Sequence, residues 1–223
     1  MAVAAIVSLG ALDAGWVLAP ERYDPRRRGD GRPGVALGSL AEVAGLTVTA
    51  AKAGTARLVV LDTGDAREGV VTAKAAVPAA ELGSAKKLLR PGDVIVSRLR
   101  PYLRQVALVD AELAGPGVGL ACSTEFFVLR PAGGGGGESI AFLVAFLLGD
   151  GAQSALAACV EGGHHPRVGQ AALEQLVVPA DVLARRDELS ARVEAAVAAA
   201  RRGERELAAA IALAGDESHR LAA

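Results

Sequence analysis

A chain of 223 residues is long enough for one domain of roughly 150 to 200 residues with an appendage, and too short for a large multidomain enzyme. Hydrophobic residues make up 52% and charged residues 22%, a balance that supplies a core and excludes an intrinsically disordered chain. With 24 Lys and Arg against 25 Asp and Glu the net charge is −1, which excludes a protein that holds nucleic acid or anionic lipid by bulk charge alone.

The mean hydropathy of +0.34 comes mainly from dispersed Ala, Val and Leu. The densest apolar run, Ile140 to Leu148, is far shorter than the roughly 20 residues of a spanning helix, so no membrane partner is expected. The apolar start up to Leu12 has no Lys or Arg ahead of it, unlike a secretory leader. Two cysteines, Cys122 and Cys159, are too few for a disulfide framework and fit a reducing compartment. A cytoplasmic location is expected.

Residues 1–33 read as a loose N-terminal arm, because Pro20, Pro25, Pro33 and the Arg26-Arg27-Arg28 run break any period. Residues 34–180 read as a domain built on short β-rich runs. These are Arg57 to Asp62, Gly69 to Thr72, Asp93 to Leu99, Gln105 to Val109 and Thr124 to Leu129, each bounded by Gly, Pro or Asp or rich in β-branched and aromatic residues. A mainly antiparallel sheet or half-barrel is expected. In Asp93 to Leu99, alternation puts Val94, Val96 and Arg98 on one face and Ile95, Ser97 and Leu99 on the other, so neither face is cleanly polar. The glycine run Gly133 to Gly137 reads as a surface loop. It is followed by Glu138-Ser139 where a phosphate-binding loop needs Lys-Ser/Thr. Two short helices, Ser139 to Leu148 and Ala152 to Val160, are expected to pack on the sheet, and Gly162 to Arg167 forms a polar loop.

From Asp181 the period changes. Leu189, Val193, Ala196, Ala200, Gly203, Leu207, Ala210 and Ala214 recur at steps of four and three, with Val197 and Ile211 beside them, which is a heptad seam. Arg185, Arg192, Glu194, Arg201, Arg202, Glu204, Arg205 and Glu206 are assigned to the opposite face. A spacer or dimerisation helix over 181–215 is predicted, roughly 50 Å long at 1.5 Å per residue, with residues 216–223 as a tail. Such a helix is too long to be buried on a small domain and is expected to project and meet another helix.

Chemistry is concentrated between Lys86 and Arg104, where Lys86, Lys87, Arg90, Arg98, Arg100 and Arg104 face a single acid, Asp93. In Pro91 to Pro101 a turn leads into a strand, and two arginines emerge at its end before a proline. Guanidinium groups placed there reach phosphates or fork onto guanine. A solvated strand end with arginines kept for solubility explains the stretch as well, and taken alone that reading is slightly ahead. Ser123 lacks a nucleophile elbow. Cys159, His164 and His165, with Cys122 more distant, offer only one side of a zinc site, so no metal is expected. Seven aromatics are too few for a broad base-stacking platform.

The ordered set of motifs resembles the specificity subunit of type I restriction-modification systems. The matching pieces are Glu21 to Pro25, Val35 to Val43, Val60 to Asp65 before a Gly-Val-Val strand, and Leu89 to Pro101. Cys122 to Leu129, the Gly163 to Arg167 loop and Leu176 to Pro179 before the long helix complete it, over about residues 21 to 214. The resemblance implies an α+β target recognition domain, mixed and mainly antiparallel with short packed helices, followed by a long coiled-coil-like C-terminal helix. It implies sequence-specific recognition of double-stranded DNA without catalysis. The chemistry belongs to a methyltransferase subunit that binds S-adenosylmethionine and flips an adenine, so no cofactor is expected on this chain. A nuclease or translocase subunit is a further partner. Members of this family usually carry two recognition domains and two helices. One of each here implies a homodimer, or pairing with a second half-subunit, and a target with inverted repeats spaced near one helical turn.

Under this resemblance Lys86, Lys87, Arg90, Arg98, Arg100 and Arg104 are expected on phosphates, and Lys74, His164, His165 and Arg167 are expected to read bases. Leu189, Val193, Ala196, Val197, Ala200, Leu207 and Ile211 are expected at the dimer or partner interface. The alternative is a protein-interaction module that keeps the recognition fold without reading DNA. A small-molecule enzyme would need a convergent set of titratable residues, and the sequence offers none.

Overall fold

The computed structural model describes residues 6, 8–11, 33–133, 138–161 and 166–220. The strands and helices follow in chain order: β1 Gly34–Ala36, β2 Ala41–Val43, β3 Thr47–Val48, α1 Ala50–Ala53, β4 Arg57–Leu61, β5 Ala66–Arg67, β6 Val70–Val71, β7 Val77–Pro78, β8 Lys86–Leu89 and β9 Val94–Ser97. They continue with β10 Val106–Leu108, β11 Val118–Cys122, β12 Phe126–Pro131, α2 Phe142–Leu148, α3 Asp150–Ala158, β13 Val160–Glu161, β14 Arg167–Val168, α4 Gln170–Glu174, β15 Val177–Pro179, α5 Ala180–Leu183 and α6 Arg186–Arg220. The fold is α+β, with largely antiparallel sheets and a long C-terminal helix.

The mixed character of Val94-Ile95-Val96 has a physical cause, because β9 is buried on both faces. It is an inner strand of a four-stranded antiparallel sheet in the order β10-β9-β12-β2. Val94, Val96, Phe127, Leu129, Val106 and Leu108 meet Phe142, Leu143 and Leu147 of α2 on one side. Ile95, Phe126, Val128 and Ala107 meet Val59, Leu61, Leu89 and Leu120 of a second sheet on the other. That second sheet has the order β3-β8-β11-β4-β7 and is antiparallel except where β11 runs parallel to β4. Leu58 and Ala121 turn to its outer face, where Val48 and Ala79 close a third apolar cluster. Strands with two buried faces carry continuous apolar runs, so period-two polarity is absent where the core is densest.

β1 pairs antiparallel with β15, Gly34 opposite Pro179 and Ala36 opposite Val177. The approach is close enough that a Cβ on Gly34 would stand 2.3 Å from the Val178 carbonyl oxygen. Leu37 N donates to Leu176 O and Ala180 N to Pro33 O, both within 2.9 Å, extending the junction on either side. Gly149, extended at ψ 148°, ends α2, and Asp150 opens α3 directly after it, so a single residue separates these helices rather than the expected three.

The C-terminal segment departs from the expected seam. It forms two helices, with Ala184 and Arg185 between α5 and α6. The first half of α6 docks on α2 and the core through Leu189, Val193 and Val197, with Val197 only 3% exposed. These three were expected to face a partner. They instead cover their own domain, and Ala196, expected in the seam, is exposed because the docking stripe advances by four residues at Val193. Ser190 joins the stripe, its Oγ accepting from Phe142 N at 3.1 Å. Arg201, assigned by the sequence to the solvent face, is 4% exposed. Its guanidinium donates to Asp110 at 2.8 Å, to Glu204 at 2.7 Å and to the Val71 carbonyl at 2.7 Å, so the buried cation is paired as burial requires. Beyond it Arg205 still pairs with Glu112, and further along the helix Leu207 and Ile211 are exposed.

Candidate nucleic-acid interface

Strand direction decides which cations share a surface. The C-terminal ends of β4, β9 and β11 and the N-terminal ends of β8, β10 and β12 lie at one end of the stacked sheets, as the registers Cys122↔Leu61, Cys122↔Lys87, Phe126↔Ser97 and Val106↔Val96 require. Lys86, Lys87, Arg98, Arg100 and Arg104 therefore gather at this end. Arg167 joins them because Leu99 bridges to Arg167, Val168 N donates to Arg98 O and Arg100 N donates to Pro166 O. Three segments separate in sequence thus converge on one edge.

Arg90 does not belong to it. It follows the C-terminal end of β8, beside the Pro91-Gly92 turn, and its backbone N–H donates to Asp93 at 2.7 Å. A strand carries its two ends to opposite poles, so closeness of Arg90 to Arg98 in sequence does not become closeness in space. Asp93 is itself buried and held by the Arg130 fork at 2.7 and 2.9 Å. His164 and His165 lie outside the described residues.

At the centre of the edge stands Glu125, in the turn between β11 and β12. Arg167 grips its carboxylate bidentately, Nε on Oε2 at 3.2 Å and Nη2 on Oε1 at 2.9 Å. Arg98 Nε lies 3.8 Å from Oε2, close enough for charge attraction and too far for a hydrogen bond. That buried Nε has no hydrogen-bond partner among the described residues. The Arg98 guanidinium sits 5.7 Å from the Phe127 ring centroid and the Lys87 ammonium 5.8 Å from it, both within cation–π range. Lys87 also donates to the Phe126 carbonyl at 2.7 Å.

These contacts fix the charge state of the cluster. The hydrogen bond from Arg167 is the largest influence on Glu125 and holds its carboxyl below the usual range, so the group is ionised at neutral pH. Burial lowers the Lys87 ammonium, and nearby Arg98 pushes in the same direction. Three cations thus face one carboxylate, leaving an excess of positive charge for an anion.

The remaining side chains are committed to different degrees. Lys74 is bound to Asp65 at 2.8 Å and Asp62 at 3.1 Å, and the first of these bonds raises its pKa. Lys86 donates to Ser84 at 3.2 Å. Arg104 reaches away, donating to the Leu148 carbonyl at the end of α2 and pairing with Asp150 at 3.4 Å. The Arg100 side chain is exposed. Cys122 is in the core between the sheets, where burial pushes its thiol up to about 12.

Glu125 was assigned no role from sequence. Its signal was there in part, since it is the one acid in the Cys122 to Leu129 run, but its arginine partners lie 27 and 42 residues away.

No family model matches the chain, and no curated protein does. Among solved structures, the chain is similar to a chain of a type I restriction-modification system whose complex assembly and conformational transition have been described, at 26% identity and a TM-score of 0.58. That match covers 81% of this chain and 46% of the other. The HsdS subunit from Thermoanaerobacter tengcongensis shares the fold at 24% identity and a TM-score of 0.50, with the same coverage of 81% and 46%. The chain spans just under half the length of each.

Proposed function

We propose that this chain is a specificity subunit, or a half of one, that selects a sequence in double-stranded DNA for a type I methyltransferase subunit. The observation that carries this reading is the convergence of Lys87, Arg98, Arg100 and Arg167 on one edge of a specificity-subunit-like fold, in a molecule whose net charge is −1. Positive charge confined to one edge gives a register on the duplex, which a uniform charge does not.

In this reading the chain contributes recognition and no catalysis. Its methyltransferase partner binds S-adenosylmethionine and carries out the transfer, and a nuclease or translocase subunit completes a restricting assembly in the cytoplasm. The projecting part of α6, with Leu207 and Ile211 exposed, is the surface that meets a second recognition unit, either another copy or a second half-subunit.

Binding to duplex DNA at several salt concentrations tests the proposal. Phosphate contacts make log affinity fall linearly with log salt, and each lost contact lowers the slope by about one. Arg98→Ala and Arg100→Ala are expected to flatten the slope and to weaken site-dependent methylation by the complex. Binding without salt dependence, with methylation unchanged in both variants, would leave a protein-interaction module as the better reading.

A further inference from the structure

The turn that follows β9 has a construction that the phosphate contacts alone leave unused. Pro101, Tyr102 and Leu103 form one 3-10 turn between two arginines in the left-handed region, Arg100 at φ 46° and Arg104 at φ 51°. L residues enter that region at a cost in free energy, and such outliers persist only where the surroundings hold them. Here the surroundings do so from both sides. Arg100 N donates to Pro166 O at 3.1 Å, Leu103 N to Arg100 O at 2.8 Å and Arg104 N to Pro101 O at 2.9 Å. The Arg104 guanidinium ties the far side to the Leu148 carbonyl and to Asp150, and Pro101 is buried beneath the turn.

The tip of this clamped turn is apolar. Tyr102 is 65% and Leu103 49% exposed, and the turn follows directly in the chain on the Leu99–Arg167 bridge at the cationic edge. A single exposed hydrophobic residue needs no explanation. An aromatic and an aliphatic residue displayed together on a rigid, strained support, at a cationic edge, match the chemistry of a side chain that enters a stack of bases. The charge around the tip selects the occupant, since a polyanion suits Lys87, Arg98, Arg100 and Arg167, and its interior offers flat apolar faces.

We propose that the Arg100–Arg104 turn is a wedge that deforms duplex DNA, with the Tyr102 ring entering a base step, Leu103 supporting it and Arg100 on the flanking phosphate. The proposal rests on the DNA-recognition reading above. It adds a residue that acts on base stacking rather than on charge, and it makes the bendability of the target step part of the selectivity.

Two readouts test it, using the full chain with its methyltransferase subunit and short duplexes selected from a randomised pool by the wild-type chain. One is affinity across a salt series, and the other is the end-to-end distance of the duplex by energy transfer. Loss of a stacked ring costs between about fivefold and a hundredfold in affinity. Tyr102→Ala is expected to show that loss with the salt slope unchanged, and to leave the duplex straight. Tyr102→Phe is expected to retain both properties, and Arg100→Ala to lower the slope by about one. The wedge is overturned if Tyr102→Ala binds like wild type, if it changes the slope, or if wild-type binding leaves the duplex unbent. A wild-type complex that selects no duplex and binds none in a salt-dependent way overturns the recognition reading and the wedge with it. The thermal unfolding of Tyr102→Ala, an exposed position, is expected to match wild type and excludes misfolding as the cause.

Discussion

Arg201 and Asp110 are 91 residues apart in sequence, yet the Arg201 guanidinium holds the Asp110 carboxylate through Nη2 at 2.8 Å and Nε at 3.2 Å. Both side chains are largely removed from water. This pair pins α6 to the domain, and the bond from Arg201 to the Val71 carbonyl adds a third element to the pin.

Removing Arg201 leaves the largely buried Asp110 carboxylate without its guanidinium partner. Arg201→Ala is therefore expected to destabilise the protein by about 3 kcal/mol, as breaking buried ion pairs does. Asp110→Ala is expected to cost less, because Glu204 and the Val71 carbonyl still hold the Arg201 guanidinium, and the double variant less than the sum of the two. Denaturant unfolding of the four proteins measures the coupling. Strict additivity would show that the two side chains do not act together.

On the proposed DNA-recognition reading, Glu125 competes with phosphates for Arg167 and Arg98. Glu125→Gln removes the negative charge while keeping the shape, so affinity for random duplex is expected to rise and the salt slope to steepen. Discrimination between duplexes is expected to fall as the two guanidinium groups lose their fixed orientation. Anisotropy titrations with selected and random duplexes report all three changes, and an unchanged slope would remove Glu125 from the binding surface.

The same carboxylate has a pH signature. Its folded-state pKa lies below the ordinary value of 4.5 because Arg167 bonds the ionised form. The contribution to stability is thus complete above the unfolded pKa and is lost as pH falls through the folded one. The stability difference between wild type and Glu125→Gln is expected to be flat from neutral pH down to about 4.5 and to shrink below it. A difference that grows on acidification would contradict the ion pair.

Gly34→Ala places a Cβ against the Val178 carbonyl, 2.3 Å away, where only backbone movement relieves the clash. Pairing of β1 with β15 is expected to be lost while the stacked sheets survive. Hydrogen exchange reads this directly, with protection falling at Leu37 and Ala180 and persisting at Val96.

Leu207→Asp with Ile211→Asp alters only solvent-exposed side chains. Thermal stability at low concentration is expected to hold, while any self-association through the projecting helix is expected to be lost. Sedimentation across a concentration series separates the two effects.

The parts legible in the sequence are those governed by neighbours in the chain. Pro91-Gly92-Asp93 and Pro101 bracket β9, so its position could be read closely. β8 was hidden because Lys86 and Lys87 look like a surface run, although β8 lies inside the second sheet between β3 and β11. β11 was hidden because Gly119 and Ala121 dilute its apolar signal. In α6 the apolar positions Leu189 and Val193 were found, but the period was not. Val197 rather than Ala196 continues the docking stripe because the facing surface of α2 sets the step. Arg201 was misplaced for the same reason, since a charge looks solvated until its distant acid is known. At the edge, Arg98, Arg100 and Arg167 were singled out from their local setting, whereas the role of Glu125 depends on contacts across 27 and 42 residues and emerges only on folding.

The pairing of Gly34 with Pro179 brings the two ends of the 34–179 segment to the same spot. Everything between them, including the whole cationic edge, hangs from that spot as a closed loop of chain. A segment whose two ends meet is replaceable as a block when a substitute reproduces the two short strands at the seam and the face that receives α6. On the proposed recognition reading, the architecture lends itself to exchange of the whole 34–179 segment, with α6 kept as a common handle.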